Sequence, residues 1–416
     1  MNFHRMRRID QYVGVPLCIL LTAWKSTLGR LVDASVPEGR PQKIVFVKLI
    51  EQGSTILAYD ALRRAIELVG RENVYFYVFE ENKFPLQILN MIPEENIFSV
   101  RVKGLHRFAI DILKTLWKVR SQKIDTLIDL EFFARGSAIL SYLTGIPRRI
   151  GLDRFTADAP YRGNLMTHKV QYNSYIHTAQ YFRLLVEVSL RNPAERPLMK
   201  ALPPEKPTSI PPYVPTSQEL EALKKKLQEL DAQIFNGPIV LLNANASDLL
   251  PLRKWDEKNY IELAKRIRRD YPSSTILFTG APAERGPIEQ IVKAIGAEHV
   301  HSVAGLTNFR ELFALYTLSD VLVTNDSGPG HFSSLSDMYA ITLFGPETPF
   351  LYGAIGANKV AITKSLACSP CVNVFNHRFS PCTNNVCMQQ ITVDEVYVHV
   401  KKGLESRATP RYLTTG

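Results

Sequence analysis

Residues 321–349 read VLVTNDSGPGHFSSLSDMYAITLFGPETP. Two short apolar runs, 321–323 and 339–344, enclose a turn and a segment of small residues. This pattern predicts a strand, a tight turn, a helix and a second strand. Asp326 or Ser327 is expected to cap the helix with its side chain. The free backbone N–H groups of such a turn form an anion site, for which a diphosphate is well suited.

Strand-like and helix-like segments alternate on the amino-terminal side of this stretch and again in the first half of the chain. Such alternation is typical of a parallel sheet covered by helices on both faces. The predicted fold class is therefore α/β, with two doubly wound Rossmann-like domains that face a cleft. The alternating segments are 43–50, 55–69, 74–80, 108–120, 126–130, 132–143, 175–190, 239–243, 260–269, 275–279, 288–295 and 309–318.

The proline-rich segment 201–216 separates the two predicted domains. So many prolines cannot continue a helix or a central strand. A chain of 416 residues is also too long for one ordinary core. We therefore predict a first domain at 43–200 and a second at 217–400, with an amino-terminal segment at 1–30 and a tail at 401–416.

The composition describes a soluble globular protein with an anionic partner. Hydrophobic residues make up 45% of the chain and the mean hydropathy is -0.07, which argues against a polytopic membrane protein. The net charge of +10 favours a nucleotide, a phosphorylated lipid or a membrane surface as partner. We expect no nucleic-acid partner, because no zinc-finger, RNP-like or helix-turn-helix pattern stands out.

The amino-terminal segment combines arginines with an apolar run at 13–23. This run is shorter than the roughly 20 residues that a helix needs to cross a bilayer. A helix lying in the membrane interface is the favoured interpretation, with basic residues at the headgroups. A secretory signal peptide and a helix packed on the protein are the alternatives. The side chains expected to insert are Leu17, Ile19, Leu20, Leu21 and Trp24.

The motifs NDSGPGH at 325–331 and LFGPETP at 343–349 resemble the nucleotide-sugar signature of the ADP-heptose:lipopolysaccharide heptosyltransferases, glycosyltransferase family 9. The loop at 243–255 and the strand, glycine turn and helix that start at residue 43 resemble the same family. The resemblance covers roughly residues 43–400. It implies a GT-B fold, with the sugar donor bound in the second domain and the acceptor against the first.

The resemblance implies an inverting glycosyltransferase that needs no metal for catalysis. Its expected partners are a nucleotide sugar, a glycolipid acceptor and an anionic membrane surface. It is expected to move a sugar, heptose from ADP-heptose by resemblance, to a lipopolysaccharide-core or other envelope glycolipid. The expected location is the cytoplasm, peripheral on the inner face of the cytoplasmic membrane. A non-catalytic nucleotide-sugar-binding scaffold in envelope assembly and a GT-B-like nucleotide-sugar epimerase are the alternatives.

Candidate donor-binding residues follow from these motifs. Negative charge grows on the departing diphosphate as the glycosidic bond breaks, so a nearby cation is required. Arg253 and Lys254 are the candidate cations, with solvated surface charges as the alternative. Ser247 is a candidate hydrogen-bond donor, and Glu284 stands where the family holds the nucleoside. The motif residues expected at the diphosphate and the sugar are Asn325, Asp326, Ser327, Gly328, Gly330 and His331.

The amino-terminal turn departs from the family pattern at its catalytic position. The family usually carries an aspartate directly after the glycine of this turn, as the proposed general base, whereas this chain carries Ser54. Serine cannot accept a proton near neutral pH, and the transfer needs a carboxylate or imidazole near the attacking hydroxyl. Glu51 is the candidate base, with an ion pair to Lys48 as its alternative role. Asp129 and Glu131 are reserve carboxylates.

Four of the five cysteines lie within residues 368–387. Their spacing permits a tetrahedral zinc or iron–sulfur site, and the resemblance extends to a carboxy-terminal cysteine cluster in the family. Disulfide or redox pairing and free thiols are the alternatives. In each case we expect a structural role and no cofactor in catalysis. The four residues are Cys368, Cys371, Cys382 and Cys387.

Overall fold

A computed structural model of the chain describes residues 3–27, 35–102, 104–246 and 250–406. The chain divides into two compact units. Unit 1 consists of Met1–Pro207 and Asn373–Phe379, and unit 2 consists of Thr208–Val372 and Ser380–Gly416.

Unit 1 is built on a parallel sheet, for which the described residues supply six strands in the order β3-β2-β1-β4-β5-β6. The central strand β1 pairs in parallel with β2 and β4, and all its residues are buried. Full burial fits a parallel strand that is covered on both faces. The strands are β1 (Ile44–Val47), β2 (Val74–Phe79), β3 (Ile97–Val100), β4 (Thr126–Asp129), β5 (Arg148–Leu152) and β6 (His168–Val170).

Helices connect these strands as the alternating pattern predicted. The predicted helix at 55–69 is two helices, α3 and α4, which meet at Ala58. Val119 of α6 and Leu140 of α7 share a core cluster with Val45 of β1, so α6 and α7 cover the same face of the sheet. The helices of unit 1 are α1 (Phe3–Tyr12), α2 (Gly14–Thr27), α3 (Gln52–Leu57), α4 (Tyr59–Val69), α5 (Phe84–Leu89), α6 (Leu105–Ser121), α7 (Arg135–Leu143) and α8 (Thr178–Val188).

The amino-terminal segment, predicted as one interfacial helix, forms the two helices α1 and α2 and packs on α7. Cys18 is fully buried in a small cluster with Ala138. Asp10 accepts hydrogen bonds from the Arg135 backbone N–H (2.9 Å) and from the Arg135 side chain (2.9 Å). Leu21, which was expected to insert into a membrane, instead packs against the Cys18 cluster. Among the described residues, no helix has the length and apolar character needed to cross a bilayer.

Unit 2 repeats the architecture with a second parallel sheet, in which the described strands follow the order β12-β11-β10-β7-β8-β9. The central strand β10 pairs in parallel with β7 and β11. The predicted α/β class with two doubly wound domains is confirmed. The strands are β7 (Ile239–Asn243), β8 (Thr275–Phe278), β9 (Val300–Ser302), β10 (Val321–Asn325), β11 (Tyr339–Phe344) and β12 (Lys359–Thr363).

Several helices of unit 2 bury an apolar face against this sheet. Val396 and Val400 of the last helix, for example, lie in the same core cluster as Val321 of β10. The helices are α9 (Ser217–Leu230), α10 (Glu257–Asp270), α11 (Arg285–Ile295), α12 (Phe309–Leu318), α13 (Gly328–Phe332), α14 (Pro349–Tyr352), α15 (Val386–Gln389) and α16 (Val393–Glu405).

The unit boundaries differ from the sequence-based domains, first because unit 1 includes the amino-terminal segment that was set apart from the first domain. Residues 373–379 cluster with unit 1, although the sequence analysis assigned them to the second domain. The helix α16 continues to Glu405, beyond residue 400 where that domain was expected to end. The change between the units after Pro207 falls within the proline-rich segment 201–216.

Candidate functional site

Three loops of unit 2 meet at the carboxyl ends of its central strands. One follows β7 after Asn243, one follows β10 after Asn325, and one follows β11 after Phe344. These strands are neighbours in the parallel sheet, so their carboxyl ends lie at one edge. Ligands of open α/β sheets bind at this edge. The motifs identified in the sequence therefore come together in three dimensions.

Arg253 joins the loops at this edge. Its Nε lies 3.3 Å from Oδ2 of Asp326, and its Nη1 donates a hydrogen bond to the Asp326 carbonyl oxygen at 3.2 Å. Its Nη2 donates to Oε2 of Glu347. All three side chains are largely buried, so the ion pairs are only weakly screened by water. The guanidinium is thereby held in one orientation between the side chains of Asp326 and Glu347.

The charges of this cluster depend on each other. Burial disfavours the charged form of Arg253, but Asp326 and Glu347 outweigh this effect and raise the pKa of the guanidinium. Burial raises the pKa of Glu347, and the carboxylate of Asp326 raises it further, against the opposing effect of Arg253. The cluster therefore favours a charged Arg253 and a carboxyl group of Glu347 that retains its proton.

Nδ1 of His331 and Nδ2 of Asn245 are buried polar atoms near this edge that lack hydrogen-bond partners among the described residues. Burial lowers the pKa of His331 and Arg253 lowers it as well, while Asp326 opposes both effects. The imidazole is therefore neutral near pH 7 and presents one donor and one acceptor nitrogen. Unpaired buried polar atoms are uncommon in native proteins, and a ligand would satisfy them.

Asn325, a candidate donor-binding residue, uses its whole side chain to hold the loop that carries Arg253. Its Oδ1 accepts from the Trp255 backbone N–H at 3.0 Å, and its Nδ2 donates to the Asn245 carbonyl oxygen at 3.0 Å. The side chain is fully buried. Trp255 is fixed further by a hydrogen bond from its indole N–H to the Ile391 carbonyl oxygen at 2.9 Å.

The helix after the turn is much shorter than a typical helix. It starts at Gly328 as expected, but the N-cap residue Ser327 makes no capping hydrogen bond with its side chain. Ser327 Oγ lies 3.1 Å from the Asn325 carbonyl oxygen, and Asp326 pairs with Arg253, so the predicted side-chain cap is wrong. A Cβ atom on Gly330 would lie 3.0 Å from Thr342 Oγ1, so glycine permits the close packing of this turn on β11.

The remaining donor-site candidates lie in different surroundings. Lys254 forms an ion pair with Glu257 at 2.5 Å on the first turn of α10. Glu284 accepts a hydrogen bond from the Ala281 backbone N–H at 2.6 Å and closes the turn that precedes α11. Ser247 lies outside the described residues.

The candidate base belongs to unit 1. Glu51 precedes α3 with a backbone φ of 70° and ψ of 80°, in the left-handed region that non-glycine residues rarely adopt. Its carboxylate is 3.4 Å from Nζ of the buried Lys48 and forms an ion pair with Arg378. Ser54, at the position of the family aspartate, donates to the Glu51 carbonyl oxygen at 3.0 Å. The predicted contact between Glu51 and Lys48 is therefore present.

The two reserve carboxylates are occupied by structural contacts. Oε1 of Glu131 accepts from the backbone N–H groups of Leu49 (2.6 Å) and Ile50 (3.1 Å), and its Oε2 accepts from Lys48 (3.1 Å). Burial raises the pKa of Asp129, although its ion pair with Arg162 opposes this shift. Glu131 thus holds the turn that carries Glu51.

Two residues of these clusters escaped the sequence analysis. Glu347 lies within the GPETP motif, but the motif alone does not reveal its pairing with Arg253. Arg378 is far from Glu51 in the sequence, and no sequence motif includes it. Its ion pair with Glu51 therefore could not be predicted. The clustering of residues 373–379 with unit 1 is the signal that connects Arg378 to the turn, and it is visible only in the structure.

The four cysteines of the cluster form no disulfide among the described residues. Cys368 and Cys382 are exposed, while Cys387 is buried. Cys371 Sγ lies 3.2 Å from Ser380 Oγ. The part of the chain that the structure describes contains no group of three His, Cys, Asp or Glu side chains that could hold a metal ion. A structural zinc or iron–sulfur site at these cysteines stays a prediction.

The comparisons with known proteins agree on one family. The model of glycosyltransferase family 9 (heptosyltransferase) matches residues 112–378. Lipooligosaccharide heptosyltransferase 2 of Campylobacter jejuni is 22% identical over 46% of this chain and 61% of its own length. The matches span about three-fifths of the length of the two Campylobacter relatives.

Solved structures support the fold. The ADP-heptose lipopolysaccharide heptosyltransferase II of Escherichia coli aligns with a TM-score of 0.64 and 15% identity, covering 88% of this chain and 99% of that protein. A glycosyltransferase family 9 protein of Veillonella parvula aligns with a TM-score of 0.67 and 16% identity, covering 90% of this chain and 100% of that protein. At these identities the likeness concerns the fold, which is the two-domain α/β fold called GT-B.

Proposed function

The chain belongs to glycosyltransferase family 9, and from this membership we propose that it is an inverting glycosyltransferase acting on an envelope glycolipid. The donor is a nucleotide sugar, with ADP-heptose the first candidate because the Escherichia coli relative is named for it. The acceptor is a lipopolysaccharide-core or related glycolipid. The arrangement of Arg253 between Asp326 and Glu347 is the observation that carries this proposal.

The reaction is a single displacement at the anomeric carbon. The acceptor oxygen bonds to this carbon while the bond to the diphosphate oxygen breaks, and the nucleoside diphosphate leaves with the bonding electrons. The acceptor proton passes to a general base on unit 1. Such a step needs no redox partner, and it inverts the configuration at the anomeric carbon because the nucleophile enters opposite the leaving group.

Arg253 supplies the cation at the leaving diphosphate. A guanidinium presents several N–H groups in a fixed fork that matches phosphate oxygens. Because Asp326 and Glu347 hold its orientation before the donor arrives, little reorganisation is required during the reaction. The carboxyl groups and the neutral imidazole of His331 are suited to sugar hydroxyls. We assign the cationic role to Arg253 instead of Lys254, since Arg253 contacts Asp326 in the turn after β10, whereas Lys254 pairs with Glu257 on α10.

Glu51 serves as the general base. The reserve carboxylates Asp129 and Glu131 are almost fully buried with their partners, whereas the side chain of Glu51 is 18% exposed. Its carboxylate forms ion pairs with Lys48 and Arg378. Ser54 supports the turn through the Glu51 carbonyl oxygen and takes no proton itself.

The protein attaches peripherally to the inner face of the cytoplasmic membrane. Helices α1 and α2 continue almost without a break, since the Val13 N–H donates to the Ile9 carbonyl oxygen at 2.9 Å. They expose apolar side chains at intervals of three or four residues, which places these side chains on one helical face. Arg8 adds an exposed cation beside them. The exposed apolar residues of this face are Ile9, Val13, Leu17, Leu20 and Trp24.

No metal enters the proposed chemistry, and the cysteine cluster has a structural role. Turnover should therefore be the same after exhaustive dialysis against a chelator. Loss of turnover that zinc or iron restores would contradict this part of the proposal.

Donor turnover by the full-length protein tests the function directly. The protein is incubated with a panel of nucleotide sugars and detergent-solubilised envelope glycolipid, and released nucleoside diphosphate is quantified with and without acceptor. Acceptor-dependent release from one donor is expected. Release without acceptor would identify a hydrolase, and conversion of the donor without release would identify an epimerase.

Three variants test the assigned cation. Arg253→Met should reduce turnover at least 100-fold, the scale seen when one electrostatic contact to a developing charge is removed. Lys254→Gln tests the alternative cation and should have little effect. Lys258→Gln removes an exposed lysine of α10 and serves as the control. A larger loss in Lys254→Gln than in Arg253→Met would overturn the assignment.

A non-catalytic nucleotide-sugar-binding scaffold is the second candidate, and the replacement of the family aspartate by Ser54 favours it. This candidate predicts donor binding by calorimetry without turnover for any acceptor. Acceptor-dependent turnover would exclude it.

A further inference from the structure

Helix α6 exposes an apolar stripe that the family membership does not account for. Ile110, Leu113 and Trp117 are 49%, 67% and 71% exposed. Their spacing of three and four residues places them on one side of the helix, which we call the α6 face. The opposite side packs on the sheet through Ile112, Leu116 and Val119. Large apolar side chains grouped on a surface mark an interaction site more often than scattered ones do.

The α6 face is strongly basic as well as apolar. Arg107, Lys114 and Lys118 are exposed on the same helix. No carboxylate of the described residues forms an ion pair with any of the three. The one acidic residue of α6, Asp111, is buried and neutralised by Arg101, whose Nε lies 2.8 Å from its carboxylate. The surface therefore presents a net positive charge next to exposed hydrocarbon.

Trp117 indicates which kind of partner the α6 face binds. Tryptophan combines a large apolar ring with a polar N–H group and is enriched where hydrocarbon meets water. Lysine side chains extend along an apolar surface while their charge stays in water, so they fit the same boundary. An anionic lipid surface matches all three features, because it offers hydrocarbon to the apolar stripe, a boundary with water to the tryptophan and negative charge to the lysines.

The α6 face lies on the same side of unit 1 as the amino-terminal helices. Helices α6 and α7 cover one face of the sheet, and the side chain of Arg120 in α6 donates to the carbonyl oxygens of Leu143 (2.8 Å) and Thr144 (3.1 Å) at the end of α7. Helix α2 packs on α7 through Cys18 and Ala138. All three helices thus form one layer of unit 1, with α7 in contact with both α2 and α6.

We propose that the α6 face is a second membrane-binding surface, which inserts Leu113 and Trp117 between the headgroups of anionic lipids. This inference rests on the peripheral membrane attachment under the proposed function and adds a contact that the amino-terminal segment does not supply. Two separated contacts fix the orientation of unit 1 on the bilayer, whereas a single helix leaves it free to rotate. A fixed orientation holds the turn of Glu51 at one height above the lipid-bound acceptor.

The three tryptophans of the chain make a direct test possible. Trp255 is fully buried and should not respond to lipid. Trp24→Phe therefore leaves Trp117 as the lipid-sensitive fluorophore, and Trp117→Phe leaves Trp24. Each full-length variant is mixed with vesicles of phosphatidylcholine alone or with 30% phosphatidylglycerol added. Sedimentation measures binding, and lipids brominated near the headgroup measure quenching.

Binding to anionic vesicles with quenching of Trp117 in the Trp24→Phe variant is the expected result. If this variant binds while Trp117 stays unquenched, the α6 proposal is overturned and attachment through α1 and α2 remains. If neither variant binds anionic vesicles, both membrane proposals fail. The transferase function is tested separately, by measuring nucleoside diphosphate release with a detergent-solubilised acceptor, which does not require membrane binding.

Surface variants test which properties of α6 matter. Leu113→Ser combined with Trp117→Ser should weaken partitioning to anionic vesicles about tenfold, because two apolar side chains no longer leave water. Lys114→Gln and Lys118→Gln should each weaken it about fivefold. The matched control is Val398→Ser on α16, a 64% exposed apolar residue of unit 2, which should bind as the unchanged protein does.

A second copy of the chain is the main competing occupant of the α6 face. Sedimentation velocity of the lipid-free protein at micromolar concentration measures self-association. A dimer that Leu113→Ser with Trp117→Ser dissociates, together with unchanged vesicle binding of this variant, would overturn the proposal. The unfolding transition of this variant in urea shows whether the variant is still folded.

Discussion

Arg378 forms an ion pair with Glu51, so a short segment from the carboxy-terminal part of the chain contacts the turn after β1. The segment 373–379 reaches this position in a folded conformation, because the Arg378 N–H donates to the Asn373 carbonyl oxygen at 3.0 Å. Phe375 packs against Phe133, with ring centroids 5.8 Å apart. Glu51 is therefore restrained by a contact that its local sequence does not provide.

Replacing Glu51 by glutamine should abolish most turnover and leave donor binding intact. Glutamine preserves the size of the side chain but cannot accept the acceptor proton, and loss of a general base costs about 100-fold to 10,000-fold in rate. The donor-binding cluster belongs to unit 2, so calorimetric affinity for the donor should be unchanged.

Glu81→Gln provides the control, because Glu81 is an exposed carboxylate that follows β2 in the same unit. Unchanged turnover in Glu51→Gln would remove Glu51 as the base. A parallel loss of donor affinity would instead indicate a structural defect.

The sequence predicted the sheets because their signal is local. Alternating apolar runs and helical periods identified both doubly wound units, and the NDSGPGH and GPETP motifs lie at the ends of β10 and β11 as expected. The loop of Arg253 was assigned to the same site because it resembles the corresponding loop of the family, and its position after β7, next to β10 in the sheet, agrees with this assignment.

Contacts between distant segments could not be predicted in this way. No periodicity links Arg378 to Glu51, and the pairing of Glu347 with Arg253 depends on burial that only the folded loops create. The burial of one side of α2 against the protein was not predicted, for a similar reason. Leu21 and Leu20 are equally apolar in sequence, but only Leu21 meets the Cys18 cluster.

Glu347→Gln should change the pH dependence of stability in a defined direction. Burial raises the pKa of Glu347 above its ordinary value of 4.5, and Asp326 adds to the increase. The native state then retains a proton that the unfolded chain has released, so the free energy of unfolding falls as pH rises above 4.5. Glutamine carries no titrating proton and removes this dependence.

Urea denaturation between pH 5 and pH 9 measures the effect. The stability of Glu347→Gln relative to the unchanged protein should increase with pH over this range. Glu289→Gln, at an exposed carboxylate of α11, should show a constant difference. A relative stability of Glu347→Gln that decreases with pH would show that Arg253 controls the ionisation of Glu347.

Asn325→Ala should loosen the loop that carries Arg253. The substitution leaves the Trp255 backbone N–H and the Asn245 carbonyl oxygen without their partner. Each unsatisfied buried group costs about 1–3 kcal/mol. We expect lower stability in urea and weaker donor binding by calorimetry.

Two comparisons separate this positioning role from general destabilisation. Asn325→Asp keeps the acceptor for the Trp255 N–H and should recover part of the stability. Asn358→Ala removes an exposed amide that donates to the Asp337 carbonyl oxygen at 3.0 Å and should not affect donor affinity. Equal donor affinity in all three variants would contradict the role of Asn325 in positioning the loop.

Asp231 should stabilise unit 2 at neutral pH and lose this effect in acid. Its Oδ2 lies 2.6 Å from His299 Nδ1 and 2.9 Å from His301 Nε2. Burial opposes ionisation, but the hydrogen bonds with the two histidines outweigh it and lower the pKa of Asp231 from 3.8 to about 2. A lowered carboxyl pKa gives stability that is present above the unfolded value and is lost as pH falls through the folded value.

Asp231→Asn should therefore destabilise the protein by about 1 kcal/mol at pH 7, a modest value because the pair lies near the surface. The difference from the unchanged protein should shrink between pH 4 and pH 2. Denaturant titrations at these pH values measure it, and Asp158→Asn, at an exposed aspartate of unit 1, is the control. If the destabilisation stays constant down to pH 2, its cause is the packing of the asparagine and not the loss of the Asp231 charge.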